Sequence, residues 1–194
     1  MNPQDIGTMQ NILVRLGAIE NSLSNHKHAG FDLSTAIPKD WEILKKITLI
    51  AATSSIRADI SSRQFLRVFL AHGAKSGVGN TLLRFNNDSG ANYTSISQEN
   101  ATARTSATSI DLFDALNSTA QFFFVIDILN ISTLQKSVVS EGIQIHTAAS
   151  DTQVKRQVYG TWINSTDKIN RIDIVASANN FPAGTILQVF GSKE

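Results

Sequence analysis

Two histidines one residue apart, His26 and His28 in the run Asn25-His26-Lys27-His28-Ala29-Gly30, offer the most direct chemistry in this chain. In an extended backbone, residues i and i+2 face the same side, so the two imidazoles point together. One chain supplies two nitrogen ligands, too few for a tight metal site. Three chains around an axis supply six, an octahedral set that suits iron, nickel or cobalt better than calcium or magnesium, which prefer oxygen. The competing reading is a solvated polar linker. The choice turns on whether the preceding residues bring chains together.

Those residues carry a seam. Met9, Ile12, Leu16, Ile19 and Leu23 follow a three-four-three-four spacing, the heptad pattern of a helix that associates with copies of itself. Pro3 and Asp5 suit a helix start. Asn21, Ser22, Ser24 and Asn25 weaken the helix and end it near His26. A seam of roughly 22 Å is marginal alone, which points to self-association; an amphipathic helix packed on its own domain is the alternative. Isoleucine at two d positions is compatible with more than two strands, so we expect a homotrimer. His26 occupies the next d position after Leu23 and would face the axis. No other cofactor is expected to be required. The expected organisation is a helical trimerisation or anchoring segment at 1–25, a linker carrying His-x-His at 26–40, and a β head at 41–194.

The head reads as short strands between turn signals, at about 45–52, 56–60, 65–71, 81–86, 91–97, 108–114, 121–129, 137–147, 153–163, 170–177 and 185–190. Ile143 and Ile145 alternate with Gln144 and His146, and Ile172 and Ile174 alternate around Asp173. In 121–129, Phe122, Phe124, Ile126 and Ile128 share one face while Phe123, Val125, Asp127 and Leu129 share the other, which predicts a strand buried on both sides. Ile56, Ile60 and Arg67 also suit a helix. The fold class is mainly β: an antiparallel, jelly-roll-like sandwich preceded by a short coiled-coil helix.

Within the head, the densest polar cluster is Arg84-Phe85-Asn86-Asn87-Asp88-Ser89-Gly90-Ala91-Asn92-Tyr93. Asn, Asp and Gly tolerate left-handed backbone, so the run reads as a tight turn. Its alternatives are a cation site and an exposed binding loop made by Asn86, Asn87, Asp88, Asn92 and Tyr93. The segment Gly73 to Asn80 superficially suggests a phosphate cradle but lacks the closing Gly-Lys-Ser/Thr and a following helix; it reads as a flexible hairpin connection. His72 and His146 are isolated near strand ends. No nucleophile elbow or His-Glu-x-x-His occurs, and acidic residues are sparse in the β region, so we expect no enzyme.

Composition narrows the classes further. The 194 residues carry no cysteine, which excludes disulfides and zinc–thiolate sites. A net charge of +1 gives no electrostatic footprint for nucleic acid. No apolar run is long enough to insert in a membrane, and no signal peptide is visible at the start. The six Asn-x-Ser/Thr sequons, at Asn87, Asn92, Asn100, Asn117, Asn130 and Asn164, follow from the Asn/Ser/Thr bias and are expected to be unused.

The turn "RFNNDSGANY" (Arg84 to Tyr93), the segment "GTWIN" (Gly160 to Asn164) and the ending "FPAGTILQVFG" (Phe181 to Gly191) resemble phrases of jelly-roll-like structural proteins of tailed-bacteriophage virions. His-x-His after a coiled stalk is similar to phage tail-fibre segments, where threaded trimers hold iron between histidine pairs. The resemblance implies a homotrimeric virion-surface component assembled in the host cytoplasm: a tail-fibre or receptor-binding protein, or a capsid head-decoration protein. Its implied partners are its own copies, other virion proteins through the N-terminal segment, and a host-surface glycan. A carbohydrate-binding module or glycan-active enzyme on a β-sandwich is the reading from another class. Trp41, Trp162, Tyr93 and Tyr159 are the only Trp and Tyr available to it: a shared groove of them favours glycan binding, and scattered burial favours a purely structural role.

Overall fold

A computed structural model describes residues 41–75, 77–98, 103–113, 120–145 and 154–192. The heptad positions Met9, Ile12, Leu16, Ile19 and Leu23, and the pair His26 and His28, lie outside the described residues, as do His146, Asn100 and Asn117. Among the described residues the chain is mainly β, with antiparallel sheets and no helix.

Twelve strands form: β1 (Trp41–Thr48), β2 (Ser55–Asp59), β3 (Phe65–His72), β4 (Thr81–Phe85), β5 (Tyr93–Ser97), β6 (Ala103–Ala107), β7 (Ile110–Phe113), β8 (Gln121–Leu129), β9 (Lys136–Ile145), β10 (Val154–Trp162), β11 (Arg171–Ala176) and β12 (Ile186–Ser192). They make an eight-stranded sheet in the order β1-β12-β3-β8-β9-β10-β5-β6 and a four-stranded sheet in the order β2-β11-β4-β7. β1 with β12, β2 with β11, β3 with β8 and β4 with β7 are antiparallel pairs. The first four strands thus run against four later ones like the arms of one long hairpin. The arms roll up where β12 pairs with β3 and β11 with β4. β5–β6 and β9–β10 are inserted hairpins that widen only the larger sheet.

Period-2 burial explains the packing. Leu66, Val68 and Leu70 of β3, Phe122, Phe124 and Ile126 of β8, and Leu187 and Val189 of β12 face inward from the large sheet. Ile56, Leu83, Phe85, Ile172 and Ile174 face them from the small sheet, and all belong to one core cluster. Phe124 meets Phe113 of the small sheet edge-on at 6.1 Å. Gly142 permits this, because a Cβ there would lie 2.7 Å from the Phe124 ring.

Three expectations change. β8 is buried on one side only: Phe123 is exposed and Val125, Asp127 and Leu129 are half-buried, because the other sheet covers a single face. β6 was not anticipated; Ala-Arg-Thr-Ser-Ala has no apolar alternation and holds its place by pairing with β5 at the sheet edge. The Gly73–Asn80 segment joins strands of different sheets and is therefore no hairpin connection. The segment with helical spacing, 56–70, forms β2 and part of β3.

Candidate functional site

The Asn86–Asn92 turn owes its shape to its residue types. Asn86 and Asn87 take φ values of 51° and 61°, a left-handed conformation that asparagine tolerates. The Asn86 side chain accepts from the backbone N–H of Asn170 (3.0 Å) and Arg171 (3.2 Å), and donates to Lys168 O (2.9 Å). Asp88 accepts from Gly90 N (2.8 Å), Asn92 Nδ2 (2.9 Å) and Trp162 Nε1 (2.7 Å). Burial acts to raise the Asp88 pKa, but these donors outweigh it and hold the carboxyl below the usual range.

The turn carries exposed residues, among them Asn87 and Asn92, but Tyr93 does not belong to an exposed loop. Its ring is fully buried against Trp162, with centroids 6.5 Å apart, and its hydroxyl accepts from Phe85 N (3.0 Å) and donates to Asp88 O (3.1 Å). Burial pushes the phenol up. Asn86, Asp88, Asn92 and Tyr93 therefore lock the turn, and Asn87 is the member of the set that lines a cavity. Among the described residues no group of three or more His, Asp or Glu side chains is placed to hold a metal ion.

That cavity, about 350 Å³, opens on the outer side of the four-stranded sheet. Its polar lining includes Arg84, Asn87, Ser89, Arg171 and Asp173. Register explains the convergence: Asp173 in β11 stands opposite Arg57 of β2 and Arg84 of β4. Asp173 is 6% exposed. Its Oδ1 accepts from Arg171 Nη2 (2.8 Å) and Nε (3.0 Å), while its Oδ2 is buried without a hydrogen bond. Arg171 Nη2 also reaches Asn87 Oδ1 (3.1 Å), tying the turn to the sheet. Arg84 donates from Nε to Thr108 O (3.1 Å). The site can offer guanidinium and hydroxyl donors to a polar ligand.

The outer side of the eight-stranded sheet differs. Cross-strand neighbours place Phe123 beside Ile143, and Val139 beside Tyr159, which in turn stands beside Ile96. Ile43 is 59% exposed at the far side. The row of Val139 continues on its other side into the ion pair of Asp127 and Arg67 (2.6 Å). Arg67 also lies over the Trp41 ring at 5.5 Å. Two depressions of about 330 and 450 Å³, one beside Trp41 and one beside Tyr159, share Ser137 and Val139. With Trp162 and Tyr93 inside the core, the four Trp and Tyr residues do not form one groove.

The Gly73–Asn80 connection is pinned by a buried cation. Lys75 Nζ donates to Gly79 O (2.9 Å), Asn80 O (3.1 Å) and Thr81 Oγ1 (3.0 Å), and lies 5.0 Å from the Phe181 ring centroid. Burial lowers its pKa to about 8, against the opposing charge of Asp111. His72, 4% exposed, donates from Nδ1 to Gly73 O (2.8 Å) and stacks on Phe122. Burial lowers its pKa to about 4. Asn130 is also buried, its carboxamide holding Ile169 N and Arg63 O, so that sequon serves packing.

Sequence reasoning found Asn87 and the run containing Arg84 but missed Arg171 and Asp173. Their signal was the alternation Arg171-Ile172-Asp173-Ile174, which places both polar residues on one strand face. Which strands flank that face was not readable. Comparison with protein-family models, with curated proteins and with solved structures found no match.

Proposed function

We propose that this chain is a homotrimeric structural and attachment protein of a tailed-bacteriophage particle, a tail fibre or receptor-binding spike, with a jelly-roll head. The observation that carries the attachment reading is the small-sheet cavity, where Arg84, Arg171, Asp173 and Asn87 converge on a turn fixed by its own hydrogen bonds. A rigid scaffold presenting a few polar groups is what a weak, multivalent contact with a glycan needs.

Strand order supports the head architecture. With the two inserted hairpins set aside, the eight remaining strands number 1-8-3-6 in one sheet and 2-7-4-5 in the other, the winding of a jelly roll. Capsid and lectin domains share that winding. This is fold-level analogy and does not by itself assign function. The N-terminal seam would join the chains and the segment before it would contact other virion proteins. His26 and His28, six imidazoles in a trimer, would hold an axial iron or nickel ion.

Light scattering on the full chain should report about 63 kDa, three times the chain mass of 21.1 kDa. An array of neutral and acidic oligosaccharides should show binding that Arg84→Gln weakens at least tenfold, as expected when a charged hydrogen bond of about 1.5–3 kcal/mol is lost, with the melting curve unchanged. No binding to any glycan by the intact trimer would overturn attachment and leave the head-decoration reading.

A further inference from the structure

We propose that the outer face of the eight-stranded sheet is an interface between copies of this chain. The inference rests on the oligomeric reading above and names the surface that the assembled heads share.

Fourteen large hydrophobic residues are exposed among the described residues, and ten of them lie in strands of the eight-stranded sheet; none lies in the four-stranded sheet. The four others, Ile50, Val78, Leu134 and Ile163, are scattered in connections. Alternation in each strand sends the ten outward. Register then gathers them: Phe123 with Ile143 in one run, Val139 with Tyr159 and Ile96 in another. Two apolar runs on one sheet face, with the Glu141 and Gln157 pair between them, are more than the scattered single residues of an ordinary monomer surface.

Extent favours a protein-sized partner. Eight strands at about 4.8 Å give a face roughly 38 Å wide, and strands of about seven residues give it roughly 24 Å of length. The product, on the order of 900 Å², is comparable to the ~800 Å² per partner of a standard interface.

Charge favours a second copy over an acidic or basic partner. Two cations on this face, Arg67 and Lys155, are answered by anions beside them: Arg67 with Asp127 at 2.6 Å, and Lys155 with Glu141 at 3.6 Å. A face whose charges are internally paired can meet a like copy without net repulsion. The N-terminal seam expected from the sequence would hold such copies at high local concentration.

The chain contains no cysteine, so single introduced thiols report cleanly. Full-length Ile143→Cys and Val139→Cys variants, at the large-sheet face, are compared with Arg57→Cys on the small sheet for maleimide labelling rate and for cross-linking between chains by a short bis-maleimide. The expected result is labelling at least tenfold slower at positions 143 and 139 than at 57, with covalently linked chains formed from those positions and not from 57. Equal rates with an oligomeric mass would mean that the seam alone assembles the chains; the interface is then overturned and the homotrimer survives. Slow labelling at monomer mass would mean that residues 1–40 of the same chain cover the face, which also overturns the proposal. Full-length Val139→Lys/Ile143→Lys is the second variant: added to Phe123→Cys, it should raise the maleimide labelling rate above that of Phe123→Cys alone while the melt stays cooperative.

Discussion

The outer faces of the two sheets are built from the same alternation and end with opposite chemistry. On β11, Ile172 and Ile174 point in while Arg171 and Asp173 point out, so the small sheet shows charge. On β9 both faces are mixed: Lys136, Ser140 and Gln144 point in beside Val138 and Gly142, while Val139, Ile143 and Ile145 point out beside Ser137 and Glu141. A sheet face needs apolar residues only where something covers it. The small sheet obeys that rule on both sides. The large sheet departs from it outside, where ten exposed hydrophobic residues are interspersed with two ion pairs, and a cover that forms on assembly would account for them. The polar residues inside β9 are buried all the same, and Lys136 is held there by donating to Leu134 O (2.6 Å) and Asn164 O (2.8 Å).

The sharpest way to break this comparison uses neighbouring phenylalanines of β8. Phe124 is fully buried among Phe122, Phe113 and His72. Phe124→Ala should cost about 3–5 kcal/mol in denaturant unfolding. Phe123→Ala, on the outer face, should cost less than about 1 kcal/mol within a dissociated head and act instead on assembly. Equal costs in dissociated chains would show that the outer face is covered within one chain.

A second test separates interior from exterior as the origin of pH sensitivity. His72 closes β3, where the large sheet hands the chain to the small one. Its folded pKa, about 4, lies below the ordinary value of 6.5, so the fold favours neutral imidazole. The associated stability is fully present above pH 6.5 and is lost as pH falls toward 4, by about 3 kcal/mol for a shift of this size. Thermal melts should fall across that window. His72→Phe should flatten the fall, because the ring stack on Phe122 survives without a proton site. An unchanged slope would assign the sensitivity to surface carboxylates.

How much of this was legible beforehand differs between links of the chain. Strand positions were readable from Val, Ile and Phe alternation, although the first strand, expected at 45–52, runs four residues earlier at both ends, Trp41 to Thr48. The Asn86-Asn87 turn was readable because its residue types fit positive φ. β6 was not, since Ala103–Ala107 is polar and its pairing partner supplies its conformation. The cavity was half legible: Asn87 and Arg84 lie in one conspicuous run, but Arg171 and Asp173 join them from more than 80 residues away (~84–89) through strand register. Tyr93 was misplaced because tyrosine is equally at home in a core and on a surface; the acceptor and donor around its hydroxyl come from a turn whose closure is a tertiary event.

The smallest expected effect sharpens the comparison most directly. Arg67 and Asp127 form their ion pair across β3 and β8, in the register row that also holds Phe190 and Val139. Their side chains are 43% and 46% exposed in the single chain. An exposed pair of this kind contributes about 0–1 kcal/mol, so Asp127→Asn should leave the melt of a dissociated head within about 1 kcal/mol of its parent. The same pair would be desolvated if a second copy covered the face, and removing one partner would then strand a charged guanidinium in the interface. Asp127→Asn should therefore loosen the assembly by much more than it destabilises the head, read as a rise in the concentration at which the light-scattering mass halves. The four-stranded sheet supplies the control: Arg57 and Asp59 form a comparable surface pair at 2.9 Å, and Asp59→Asn should move neither quantity. If both substitutions leave the dissociation concentration where it was, the large sheet's outer face is solvated in the assembled protein and the contrast between the two faces has another cause.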